Sequence, residues 1–165
     1  MRGISRLEGK YAVTMDLYPP QGKEFTRIQP FFDNLRENRF TTTKCRKCGK
    51  LAYPPRVICP ECLSEDLEWV DLPTEGIVVE SVVEEIGVPI GFETPLVLAL
   101  VEIPGTFTFI VRIANCKPGS LEPGDKVKLH VFEVEPFPAE FGRETVEIKR
   151  VYFAFEPVDP EKRIK

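Results

Sequence analysis

The stretch from Cys45 to Cys62, CRKCGKLAYPPRVICPEC, holds four of the chain's five cysteines as two C-x2-C pairs with ten residues between them. Pairs at that spacing fit two short turns whose thiolates close on one ion. Gly49, directly after the first pair, permits the positive φ with which backbone amides turn back toward sulfur. Cys45, Cys48, Cys59 and Cys62 are therefore the expected ligands of one Zn2+, with two disulfides or a rubredoxin-like iron site as the alternatives. Four thiolates saturate a tetrahedral ion and leave no position open to substrate, so the metal is expected to be structural. Its binding energy would replace the apolar core that so short a segment cannot form.

The rest of the chain sets the compartment and the partners to expect. Its N-terminus, MRGISRLEGKYAV, has no apolar stretch of a secretory signal, and no apolar run approaches the roughly 20 residues of a membrane span. The expected location is cytoplasmic, where reduced thiols favour metal over disulfides. Sixteen prolines and eleven glycines among 165 residues suit short strands and turns. The formal net charge is −4, which argues against affinity built on neutralising phosphates. Arg36, Arg39, Lys44, Arg46, Lys47, Lys50 and Arg56 nevertheless make the segment 36–56 basic, whereas Val57 to Glu85 contains no Lys or Arg and many carboxylates. Either two solvated faces result, or a basic site for a phosphate-bearing ligand beside an acidic surface for a partner.

Periodicity places the elements. Tyr11, Val13, Met15 and Leu17 alternate as in a short strand. Pro30 suits the first turn of a helix running to about Asn38, with Phe31 and Leu35 on one face and Phe32 beside them. That helix is too short to stand alone, so its aromatic face must dock, on its own chain or on a partner. Five strands are expected after the cysteines: Gly76–Glu85, Leu96–Ile103, Thr106–Ala114, Lys126–Val134 and about Thr145–Phe155. Pro104-Gly105 joins the second and third as a hairpin. In the last, the apolar phase changes from Val146 and Ile148 to Val151, Phe153 and Phe155; a bulge near Arg150, or a strand end buried on both faces, would account for it. The fold is thus expected to be mainly β: an N-terminal strand and helix segment (1–40), a zinc ribbon (41–72), a five-stranded OB-fold barrel (73–157) and a charged, frayed tail (158–165). A β-sandwich also accommodates five strands.

Beyond the ribbon, catalytic signals are sparse. Cys116 reads as a buried thiol and His130 as a strand residue, although the two could form a nucleophile–base dyad if brought together. There is no G-x-S-x-G elbow, Walker loop or dinucleotide-binding glycine pattern. Phe107, Phe109 and Arg112 could stack and pair with single-stranded nucleic acid, but Phe107, Phe109, Val111 and Ile113 share one alternating face that more simply meets the core.

The order PFFDNLRENRF, the cysteine stretch with its Tyr53-Pro54-Pro55-Arg56 insert, then GIVVES, PLVLALVE and EPGDKV resembles a family of acyl-CoA-associated OB-fold proteins with a rubredoxin-like zinc ribbon. The resemblance covers roughly residues 28–135, and the ribbon is its specific part. It implies that Cys45, Cys48, Cys59 and Cys62 bind zinc, and that the protein is a non-catalytic companion of thiolase-superfamily enzymes. The function so implied is a scaffold and acyl-CoA-binding subunit that bridges acetyl-CoA acetyltransferase (thiolase) and hydroxymethylglutaryl-CoA synthase, in the mevalonate pathway. Lys47, Lys50 and Arg56 are then candidates for the phosphates of coenzyme A. Phe31, Phe32, Phe137 and Phe141 are candidates for contact with a partner enzyme. A single-stranded nucleic-acid-binding protein is the alternative.

Overall fold

The computed structural model describes residues 18–89, 92–141 and 144–164, so the strand expected over Tyr11–Leu17 lies outside the described residues. Helix α1 (Gln29–Arg36) carries Pro30 in its first turn, and Asn38, at φ 56°, ends it in the left-handed conformation. Phe31, Phe32 and Leu35 are 5%, 2% and 0% exposed. Of the two docking places expected for this face, the chain's own sheet or a partner, Phe31 and Phe32 occupy the first. Eight residues cannot hold a helix without tertiary contacts, so its one apolar face is consumed by the chain's own sheet, Phe31 lying 5.9 Å from Phe153, ring to ring.

The cysteine segment builds a three-stranded sheet from β1 (Thr41–Cys45), β2 (Leu51–Ala52) and β3 (Leu67–Asp71), in the order β2-β1-β3. Antiparallel pairing of β1 with β3 sets Lys44 opposite Glu68 and Thr41 opposite Asp71. The basic and acidic segments are therefore zipped together rather than presented as two faces. Arg39 forks onto both carboxylate oxygens of Asp71 at 3.0 and 2.9 Å, Arg46 reaches Glu68 (3.2 Å) and Asp66 (3.5 Å), and Lys50 reaches Glu61 (3.2 Å).

Five further strands form one antiparallel sheet in the order β6-β5-β4-β7-β8: β4 (Glu75–Glu84), β5 (Leu96–Ile103), β6 (Phe107–Arg112), β7 (Lys126–Phe141) and β8 (Glu144–Pro157). The sheet curls until its outer strands meet. Ile113 and Phe155 form a parallel bridge, and the Ala114 amide donates to the Phe155 carbonyl at 2.7 Å. Val78, Val101, Ile103, Val127 and Phe155, each 0–1% exposed, fill the interior. The strands approach so closely at Gly76 that a Cβ there would stand 2.4 Å from Val101 Cγ1. Pro104-Gly105 turns the β5–β6 hairpin as expected, Gly105 at φ 71° and the Thr106 amide closing on the Ile103 carbonyl at 3.0 Å.

Three expectations change in the last third of the chain. The segment Glu135–Glu144, which falls between the fourth and fifth expected strands, continues β7 and β8 into a long two-stranded ribbon that pairs as far as Phe141 and Glu144. An outer ribbon tolerates Pro136 and Pro138, which cannot donate to a ladder. The irregularity expected near Arg150 lies across from it: β7 spends three steps from Val134 to Phe137 while β8 spends two from Arg150 to Ile148. The end of β8 is also buried on both faces, from Ala154 to Pro157. Finally, the tail is tied down. A 3-10 turn at Pro160–Lys162 is capped by the Asp159 carboxylate, and Cys116 bridges Arg163. No described helix is long and apolar enough to cross a membrane.

Candidate functional site

Two matching turns present the cysteines. In the first, the Gly49 amide donates to the Cys45 carbonyl (2.9 Å); in the second, the Leu63 amide donates to the Cys59 carbonyl (3.1 Å), with Leu63 at φ 57° where the first turn has glycine at 75°. The four sulfurs lie within 4.8 Å of one another, Cys45 and Cys62 at 3.6 Å and Cys48 and Cys59 at 3.5 Å. A tetrahedron of Zn–S bonds near 2.3 Å has S···S edges of about 3.8 Å, so the spacing suits one ion and is far beyond a disulfide bond. The electrostatics agree. The Cys62 amide, with that of Glu61, holds the Cys59 thiol down to about 7. At Cys48 the Lys50 amide favours the thiolate, yet desolvation and the neighbouring sulfurs prevail and push it up to about 12. Four sulfurs this close ionise together only around a cation, and bound zinc would tie the two turns into one structural unit.

Beside the ribbon lies a cleft of about 980 Å3, walled by Leu51 and Tyr53 of the ribbon, by Gly105–Arg112 along β6, and by Tyr152 and Phe153 of β8. Its floor is an aromatic joint. Phe40, fully buried, packs its ring against Phe31, Tyr53, Phe109, Phe153 and Phe155, while Tyr53 stacks on Phe107 at 4.5 Å. Burial pushes the Tyr53 phenol well above its ordinary range. Lys50 and Arg112 are the charged side chains on the lining. Arg112 sits over the rings of Phe92 (5.6 Å) and Phe132 (5.9 Å).

The residues picked from sequence fall in several places. Lys50 lines the cleft, whereas Lys47 and Arg56 are exposed on the ribbon outside it; Arg56 is held through its backbone, which exchanges hydrogen bonds with the Thr43 hydroxyl at 2.9 and 3.0 Å. Phe137 and Phe141 lie at the far end of the β7–β8 ribbon against Phe25, at 5.6 and 6.0 Å; Phe137 is half-buried beneath Arg150, and Phe141 is exposed. Cys116 is buried and donates to the Lys117 carbonyl at 3.3 Å, and burial pushes its thiol up. His130 faces Glu156 at 3.5 Å, and no hydrogen bond among the described residues joins it to Cys116. The cleft's outer rim, Tyr18, Phe92, Phe132 and Tyr152, was not legible as a site. Its members are scattered along the chain, and aromatic residues in strands read as core.

A family model described as the rubredoxin-like zinc ribbon domain of ChsH2 matches residues 32–68. Over 106 residues the chain is 29% identical to a probable enoyl-CoA hydratase alpha subunit from Thermomonospora curvata, 64% of this chain against 33% of that protein. It is 33% identical over 91 residues to a DUF35 domain-containing scaffold protein of Methanothermobacter thermautotrophicus, covering 54% of this chain and 68% of the relative. With the benzoylsuccinyl-CoA thiolase subunit BbsA of Thauera aromatica it shares 31% identity over 88 residues, 53% of this chain and 60% of the subunit. The chain thus spans a third of the hydratase subunit and under two thirds of the thiolase subunit. Among solved structures, a chain of an Ltp2-ChsH2(DUF35) aldolase superposes with a TM-score of 0.61 at 26% identity, over 78% of this chain and 92% of that one.

Proposed function

We propose, because this chain belongs to the DUF35 family of proteins with a rubredoxin-like zinc ribbon, that it is a non-catalytic scaffold and acyl-CoA-binding subunit of an acyl-CoA enzyme complex. The observation that carries this reading is that the likeness runs through ribbon and sheet together, and that two of the matched chains are named as subunits of acyl-CoA enzymes, another as a scaffold protein and another as part of an aldolase. The partners we propose are acetyl-CoA acetyltransferase and hydroxymethylglutaryl-CoA synthase, bridged in the cytoplasm, with Lys47, Lys50 and Arg56 near the coenzyme A phosphates. We read the curled sheet as an OB-type barrel, since β4-β5-β6 returns through the parallel β6–β8 contact to β7 and back to β4. A closed four-thiolate centre supports a structural rather than catalytic metal.

Nucleic acid binding has less support, because the rings that would stack on bases are already stacked on each other, Tyr53 on Phe107 and Phe40 near Phe109. The test is co-purification of the tagged protein from its native cell, followed by identification of bound chains and of coenzyme A. Recovery with a thiolase-superfamily enzyme is the expected result. Recovery with RNA, or without any acyl-CoA enzyme, would overturn the scaffold reading.

A further inference from the structure

We propose that the outer edge of β6 is a strand-addition site for an extended, acidic segment of another protein chain. The curled sheet has two outer edges, and they are treated differently. On β8, the Gln21 side chain imitates a neighbouring strand: its Nε2 donates to the Val151 carbonyl at 2.6 Å and its Oε1 accepts from the Val151 amide at 3.2 Å. Arg36 donates to the Lys149 carbonyl (3.0 Å), and Ala114 to that of Phe155 (2.7 Å). That edge is covered by the chain itself.

On β6, the Ile113 amide donates to the Val97 carbonyl at 2.9 Å, which sets the phase of the ladder. Phe107, Phe109 and Val111 therefore turn their backbone groups to β5, and Thr108, Ile110 and Arg112 turn theirs to the cleft. Among the described residues β6 pairs with β5 alone until Ile113 bridges Phe155 of β8 at its end, so the outward groups left without a strand partner are those of Thr108 and Ile110 and the Arg112 amide. Folded proteins blunt such edges with lysine, proline or a bulge. FTFIVR has none of these, and its Ile110 is 71% exposed.

The occupant follows from two features. Donors and acceptors that recur at every second residue along a strand match another strand's main chain, where a nucleotide offers no such repeat. The cleft along this edge is charged in one sense only, by Lys50 and Arg112. Lys50 is answered by Glu61, but Arg112 has no carboxylate among the described residues and rests between two rings. A carboxylate on the incoming strand would neutralise it. This inference goes beyond the scaffold reading: it names a surface and a mode of binding, and does not depend on which enzyme is bound.

The experiment is amide hydrogen exchange on the isotopically labelled, zinc-loaded full chain. The probe is a capped peptide of alternating valine and threonine with glutamate at both ends, compared with a lysine-ended counterpart. The glutamate-ended peptide should slow exchange at Thr108, Ile110 and Arg112 on the order of tenfold, with no change at Phe107, Phe109 and Val111. The lysine-ended peptide should act more weakly. Ile110→Pro removes only an outward donor, so it should abolish the effect while zinc content and the β5 ladder persist. Should that variant not fold, Arg112→Glu should reverse the preference between the two peptides. Any of four exchange outcomes overturns the proposal, as does the co-purification result with Ile110→Pro. One is no slowing with the glutamate-ended peptide. Another is slow outward amides in the free chain that quicken when residues 1–17 are removed, which makes that segment the occupant. A third is protection that grows with protein concentration as dimers form, and a fourth is protection by coenzyme A but not by peptide. Co-purification reads the scaffold function separately, so an enzyme retained by Ile110→Pro would sink this site and leave the scaffold standing.

Discussion

The ribbon and the curled sheet bury different materials at their centres. In the sheet the largest fully buried apolar side chains include Val78, Val101, Ile103, Val127 and Phe155, which need only be kept from water. In the ribbon the buried side chains include Thr41, Thr42, Thr43, Cys45 and Cys59. Each threonine hydroxyl there is bound, Thr41 to the Asn34 amide at 3.0 Å, Thr42 to the Ala52 carbonyl and Thr43 to the Arg56 carbonyl at 3.0 Å. Satisfied polar groups specify a geometry but add little net stability, about 1 kcal/mol apiece. The ribbon's stability must therefore come from its metal and from the surface on which it docks, whereas the sheet carries its own.

That difference is most directly broken at a ligand. Cys45→Ser replaces a thiolate that is 1% exposed with a poorer ligand that cannot complete the tetrahedron. Structural zinc is worth about 10–16 kcal/mol of apparent folding energy in ribbon-sized units, so this is the largest effect expected. Zinc stoichiometry should fall, and the amides of β1 and β3 should lose protection from exchange while those of β4 and β5 keep theirs. Protection lost equally in both sheets would show that the two regions are one cooperative unit. A strong chelator should reproduce the pattern in the unmodified protein.

The joint between the regions comes next. Phe40 is fully buried between β1 and α1 and touches rings from the helix, the ribbon, β6 and β8. Phe40→Ala should cost about 3–5 kcal/mol in equilibrium unfolding, since no single neighbour can fill a space shared by five rings. Zinc should remain bound, because Phe40 supplies no ligand. A loss below about 1 kcal/mol, of the size expected at an exposed position, would place the joint elsewhere.

The same contrast explains how much was legible in the sequence. Cysteine spacing is local, and so is a turn such as Pro104-Gly105: the four cysteines do cluster and the turn does join two paired strands, whereas the short strands β1–β3 around the cysteines carry no such local signal. The charge pattern was misread because its meaning depends on register. Only the β1–β3 pairing reveals that Arg39 and Arg46 spend their charge on Asp71, Asp66 and Glu68. Arg150 is another such case: it is 3% exposed on β8 and donates to the carbonyls of Glu135 (2.9 Å) and Tyr18 (2.8 Å), backbone partners that no composition rule identifies. The aromatic cleft was illegible for the same reason. Phe107 and Phe109 were assigned to one alternating face, correctly, but that face turned out to meet the ribbon as well as the core.

The smallest effect tests the sheet's own polar contacts against those of the ribbon. Glu156, 9% exposed at the end of β8, accepts from Asn115 at 2.9 Å and faces Lys128 (3.3 Å), His130 (3.5 Å) and Arg163 (3.7 Å). Burial alone would push its carboxyl up, but Asn115, Lys128, Arg163 and His130 outweigh burial and hold it below the usual glutamate range. A carboxyl depressed in the folded state binds its proton more readily when unfolded. Its stabilisation is therefore complete above the unfolded glutamate pKa and is lost as pH falls through the lower folded value. Glu156→Gln keeps the shape and one acceptor but loses the charge, which should cost about 1–2 kcal/mol near neutrality. Urea unfolding followed from neutral to acid pH should show the two proteins converging below the glutamate range. If the gap instead persists unchanged in acid, the charge of Glu156 is not what binds the tail to the sheet, and packing around its side chain is.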